Sequence, residues 1–228
     1  MDWFGGLRNK SGGLGGMGPG EDGDFGARVW EVSLLEADYF VIDLETSGFA
    51  PEKDLILSLA ASFIQGDDPQ PLASRYDLVT HADLSGVLPH IWQLTGLSPE
   101  ILQQSGRPVA DVLRDALAMA VDCAWVAHHA RHEVAFIQRQ VRTLWKMRLR
   151  PIVIDTALVA QGLFRLRKPP SLEWLCEALD VPVTQRHQAD ADVEMTASIW
   201  AKEVPLCHSL GLKTVGDVVE WSLAHGSG

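Results

Sequence analysis

Cysteine is scarce in this 228-residue chain: Cys123, Cys176 and Cys207 stand far apart. That spacing makes neither a disulfide framework nor a paired zinc motif, and it points to a reducing, cytoplasmic compartment. No apolar run approaches the length of a membrane span, and the basic-then-apolar pattern of a signal peptide is missing from the start of the sequence. Positive charge is also short, with 19 Lys and Arg against 30 Asp and Glu, a formal charge of −11. An overall acidic chain is a poor non-specific binder of nucleic acid, although the balance says little about a local site. Hydrophobic residues make up 46%, enough for one sizeable soluble domain.

The few cations are unevenly placed. Between Arg131 and Lys168 stand nine basic residues (Arg131, Arg139, Arg142, Lys146, Arg148, Arg150, Arg165, Arg167, Lys168) against two acids, Glu133 and Asp155. Such a flank could track a phosphate backbone, or it could be a solvated helix face. Residues 1–27 are Gly-rich without hydrophobic periodicity, which predicts a disordered tail. The folded part is expected over 28–205, with a helical extension over 206–228.

Three stations carry the chemistry. In Tyr39–Gly48 an apolar, β-branched run reads as a buried strand, and Asp43 and Glu45, two apart, share one face at its end. Neighbouring carboxylates in an apolar strand repel unless a cation lies between them, and a divalent metal answers that need. The second station is the strand-to-helix junction at Val126–Phe136, which puts Glu133 in a first helical turn. There the helix dipole alone would favour an acid. The three histidines nearby (His128, His129, His132) are a poor zinc set, because His128 precedes the helix. The third is Gln185–Glu194, where His187 precedes a helix and Asp192 lies within its first turns, so that imidazole and carboxylate could flank a water. Asp190 reads as a capping or solvent-facing acid.

Coarse patterning places three strands in an antiparallel meander (Tyr39–Gly48, Asp54–Ile64, Arg75–Thr80). Two short helical pieces broken at Gly96 follow. A helix over Pro108–Leu117 then leads to short strands at Ala124–Ala127 and Ile152–Ile154 among helices, the last long one running from Ala189 to about Lys202. The expected fold is a mixed sheet with helices packed on it.

As an ordered set these stations resemble the DnaQ-like (DEDDh) 3′→5′ exonucleases, a family related to the epsilon proofreading subunit of bacterial DNA polymerase III. Val41–Gly48 matches the first motif, Ala127–Glu133 the second and His187–Asp192 the third. Leu94–Leu102 and Ile154-Asp155-Thr156 are similar to segments between them. The resemblance implies an RNase H-like five-stranded sheet and two-metal hydrolysis with Mg²⁺ or Mn²⁺. It implies Asp43, Glu45, Glu133 and Asp192 as metal ligands, His187 as general base, and Thr46, Ser47 and His129 as substrate contacts. The substrate would be the 3′ end of single-stranded DNA or RNA, with DNA favoured, and a polymerase or other replication or repair protein could be a partner. Two departures stand out. His129 replaces the family's usual Asn, and Glu133 its usual Asp, with one methylene more of reach. The alternatives are an exoribonuclease and a catalytically weakened nucleic-acid-binding adaptor.

Overall fold

A computed structural model describes residues 29–183 and 188–225. The Gly-rich tail and His187 therefore lie outside the described residues. Five strands form one sheet in the order β3-β2-β1-β4-β5. β1 (Asp38–Thr46), β2 (Ile56–Gln65) and β3 (Asp68–Leu78) are the antiparallel meander, while β4 (Ala124–Ala127) and β5 (Val153–Asp155) run parallel to β1. The mixed sheet flanked by helices is the one the sequence predicts.

β3 is longer than expected, extending back through Pro71 and Pro69. As an edge strand it tolerates prolines, whose missing N–H groups need not serve a second neighbour. A two-residue turn, Gly66-Asp67, joins it to β2, with Gln65 paired to Asp68 and Gly66 at φ +59°. A left-handed backbone is what such a tight hairpin demands, and glycine supplies it without a Cβ clash.

The alternation of β1 sorts its side chains into two layers. Tyr39 and Val41 face a core shared with α5 (Thr156–Leu163), α7 (Ala189–Ser209) and α8 (Val215–His225). Phe40, Ile42 and Leu44 face α3 (Val109–Met119) and α4 (Arg131–Trp145) on the other side. Asp43 and Glu45 continue the first row, so period-2 geometry delivers both to the α7 side at the end of the central strand. Register slips between Glu45 and Thr46, a bulge that ends pairing beside the two acids.

Between β3 and β4 come α1 (Pro89–Thr95) and α2 (Pro99–Ser105), separated at Gly96, with Ser98 Oγ accepting the Ile101 N–H at 3.3 Å. α6 (Leu172–Ala178) starts at Ser171, whose Oγ caps Trp174 N–H. α7 continues past Lys202 to Ser209 despite Pro205, so position 205/206 falls inside a helix. Among the described residues no helix is long and apolar enough to cross a membrane.

Candidate metal centre and its surroundings

Asp43 and Glu45 meet Asp192 from the first turn of α7, and one ligand oxygen from each lies within 4.8 Å of the others. Asp192 is buried and the strand acids are half-buried. Among the described residues this is the group of acidic, histidine or cysteine side chains arranged to hold a metal ion. Asp190 is exposed, and its carboxylate accepts the Ala191 N–H.

Glu133 stands outside that triad. α4 packs on the opposite face of the sheet, and its first turn carries Glu133 to the sheet's end from that layer. The side chain is only 4% exposed, and its Oε2 has no hydrogen-bond partner. Burial pushes its carboxyl up to about 8, with Asp155 and Glu45 adding repulsion and a backbone hydrogen bond opposing. A carboxyl in that state binds a proton at neutral pH.

The loop after Glu45 is held by its own polar groups. Thr46 Oγ1 donates to Gly48 O at 2.7 Å, so His132 Nε2, 3.1 Å away, is the donor to Thr46. Burial lowers the His132 pKa, partly offset by Asp54, which fits a neutral Nε2–H imidazole. Ser47 Oγ donates to Asp54 and accepts the Leu55 N–H, while Asp54 also accepts the Ala50 N–H at 2.8 Å. A Cβ on Gly48 would strike the Asp54 carboxylate, so glycine leaves room for the group that pins this turn. Phe49 then projects 91% exposed beside His132.

His129 sits in the left-handed region at φ +59°. Asn, Asp and His are the non-glycine residues that tolerate this conformation best, which accounts for His where an Asn is usual. Asp155 fixes the turn, accepting the N–H groups of His129 and Ala130, each at 3.0 Å, while also capping α5 through Ala157 N–H. The three histidines do not converge on one point: the His128 and His129 rings meet edge-on with centroids 4.5 Å apart, but His128 Nδ1 is engaged by Thr156 Oγ1 at 2.9 Å and His132 by Thr46.

Two residues near the site carry no role in the sequence reading. Asp155 was legible only as a strand-end acid. Tyr76 of β3 lies in the lateral row Tyr76–Ala60–Asp43. Partial burial raises its phenol, and the charges of Asp190 and Glu45 add to the rise. A lone Tyr on an exposed strand gives no sequence signal; only the register across three strands reveals it.

The exonuclease family RNase T matches residues 40–200 of the chain. The PolC-type DNA polymerase III of Bacillus subtilis (strain 168) is 31% identical over 172 residues, which are 74% of this chain and 12% of that protein. The 3′-5′ exonuclease DinG of Staphylococcus epidermidis is 28% identical over 181 residues, 78% of this chain and 19% of DinG. The chain thus spans a small part of the length of the curated relatives it matches. Exonuclease I of E. coli, solved with a dT13 oligonucleotide, has the same fold: the TM-score is 0.66 at 17% identity, over 77% of this chain and 43% of that one.

Proposed function

The chain belongs to the RNase T exonuclease family, and from that premise we propose that it hydrolyses phosphodiester bonds at the 3′ end of single-stranded DNA. The observation that carries the reading is the meeting of Asp43, Glu45 and Asp192 within 4.8 Å at the end of the central strand. Exonuclease I, a structural neighbour, was solved in complex with a dT13 oligonucleotide, which favours single-stranded DNA as the substrate here.

The donor set suits Mg²⁺ or Mn²⁺. It is all hard carboxylate oxygen, crowded enough to need a cation, and a partnerless buried oxygen on Glu133 stands beside it. Asp43, Glu45 and Asp192 would hold one ion, and Asp43 with Glu133 the second. Two such ions supply charge neutralisation at the scissile phosphate and a more acidic attacking water. His187, immediately before the Gln188 N-cap of α7, would take the proton from that water, a task suited to imidazole near neutral pH. Thr46 and Ser47, which follow Glu45 directly in a loop whose hydroxyls are already engaged, would position the terminal nucleotide together with His129. The PolC-type relative suggests a replication polymerase as a partner.

The test is turnover of single-stranded DNA by wild type, Asp43→Ala and His187→Ala at several pH values. Asp43→Ala should lose roughly a thousandfold or more with an unchanged circular dichroism spectrum, and His187→Ala roughly 10²–10⁴-fold, the usual worth of a general base. The wild-type rate should climb with pH as the general base loses its proton, a limb the His187 variant lacks. Wild-type turnover by Asp43→Ala contradicts the proposal.

A further inference from the structure

Against the His129 turn lies an open groove of about 600 Å³ lined by His129, Leu166, Arg167, Lys168, Pro169, Pro170, Ser171 and Trp174. It holds the C-terminal end of the basic flank that runs from Arg131 to Lys168. Arg165, Arg167 and Lys168 follow one another within four residues, all exposed, and no acid occurs from Thr156 to Leu172.

The segment carrying these cations is fixed at both ends. α5 closes in a paired C-terminal motif, with Arg165 N–H donating to Gly162 O at 3.2 Å and Leu166 N–H to Gln161 O at 2.9 Å, and Arg165 in the left-handed region at φ +52°. At the other end Ser171 caps α6. Pro169 and Pro170 stiffen the chain between, and Pro170 is buried. Cations held on such a frame lose less conformational freedom on binding than cations on a free loop. Trp174, in the same lining, is 40% exposed and packs edge-on against Phe164, with ring centroids 5.6 Å apart, which leaves indole surface open to the groove.

We infer that this groove, with the cations and the Trp174 indole in its lining, binds the single-stranded nucleic acid on the 5′ side of the reacting end, Arg167 and Lys168 taking phosphates and Trp174 stacking a base. A cationic track beside an aromatic face is the combination by which single strands are held without reading sequence. The chain ties the groove to the proposed centre: the turn that presents His129 to the groove is pinned by Asp155 and runs directly into α4, whose first turn carries Glu133. The direction of the strand rests on the exonuclease reading: if the 3′ end enters the acidic centre, the chain that leaves it runs 5′-ward. Electrostatics adds a reason for such a groove. The carboxylates at the centre oppose approach of a polyanion, and a fixed basic wall next to them offsets that repulsion.

The groove is tested by fluorescence anisotropy with a 5′-labelled twelve-nucleotide oligothymidylate in Ca²⁺, alongside hydrolysis of a dinucleotide in Mg²⁺. The full chain is compared with Arg167→Ala/Lys168→Ala and with Trp174→Leu, which keeps an apolar contact to Phe164. The double variant should bind the oligomer about tenfold more weakly, and the slope of log affinity against log salt should fall by about 1.4, the release expected for two phosphates of a single strand. Trp174→Leu should weaken binding at least about fivefold, the low end of one base stack, with little change in the salt slope. Dinucleotide hydrolysis should stay within about twofold of wild type in both. Oligomer binding equal in all three proteins, or absent from wild type, overturns the groove assignment. So does a parallel loss on dinucleotide and oligomer. A wild-type chain that binds the oligomer through the groove yet hydrolyses nothing leaves the groove standing and removes the exonuclease reading.

Discussion

Glu133 is the residue whose surroundings say most about how the centre works. Its carboxyl is raised from an ordinary 4.5 to about 8 because it is buried, next to other acids, with an oxygen unpaired. In metal-free protein the folded state therefore binds a proton that the unfolded state releases above pH 4.5. Folding stability from this group is present below that pH and falls as pH rises towards about 8. Glu133→Gln, which imitates the protonated carboxyl, should match wild type near pH 4.5 and become progressively more stable than it towards pH 8, with EDTA present throughout. Thermal unfolding across pH 4.5–9 checks this, and a gap that does not change with pH contradicts it. Mn²⁺ added at pH 8 should narrow the gap by stabilising wild type more than the variant. Asp155 makes a second residue-scale test. Its carboxylate serves three backbone N–H groups, so Asp155→Ala should cost about 2–4 kcal/mol, read from denaturant unfolding.

At the scale of elements, the strand-to-helix junctions do the positioning, and their sequence signals differ in clarity. β1 is legible because alternation decides which side chains share a face, and that alone pairs Asp43 with Glu45. The start of α7 was legible in the same way, with Asp192 in its first turn. The His129 turn was not. Its left-handed backbone and its tie to Asp155, 25 and 26 residues away, are long-range hydrogen bonds that no local pattern encodes. The length of β3 was missed for a different reason, since its prolines argue against a strand unless it is known to be at an edge. That edge is fastened to α3 by ion pairs: Arg107 reaches Asp77 at 2.6 Å and Asp115 at 2.7 Å, and Arg75 joins both acids. Burial opposes ionisation of Asp77, but the hydrogen bonds from Arg75 and Arg107 outweigh it and hold its pKa below the ordinary value. A lowered carboxyl contributes stability above its unfolded pKa and loses it as pH falls through the folded value. Arg107→Ala should therefore lower the denaturant midpoint at pH 7 and much less at pH 3; an equal loss at both would contradict this account.

For the molecule as a whole, the two ends of the described chain close on each other behind the sheet. Leu34 N–H donates to Lys213 O at 2.9 Å, Val215 N–H to Val32 O at 3.1 Å and Gly216 N–H to Trp30 O at 2.9 Å. Gly216 lies against the Trp30 indole and Gly162 of α5 against Trp221 of α8, each too close for a Cβ. Gly162→Leu should thus push α8 off α5 and lower Tm, while the acids at the opposite end of the sheet keep their metal affinity. The general architecture was legible from the order of strands and helices. The packing of α8 and the lead-in was not, because it depends on glycines admitting tryptophans from distant segments.

The central claim is that this assembly of acids removes nucleotides from a 3′ end, and the most direct measurement is a gel time course on 5′-labelled single-stranded DNA. The account predicts a ladder that shortens from the 3′ end with Mg²⁺ or Mn²⁺, vanishes with EDTA and is absent with Asp43→Ala. No shortening with either metal, or a ladder that persists in EDTA or in the Asp43 variant, would contradict it.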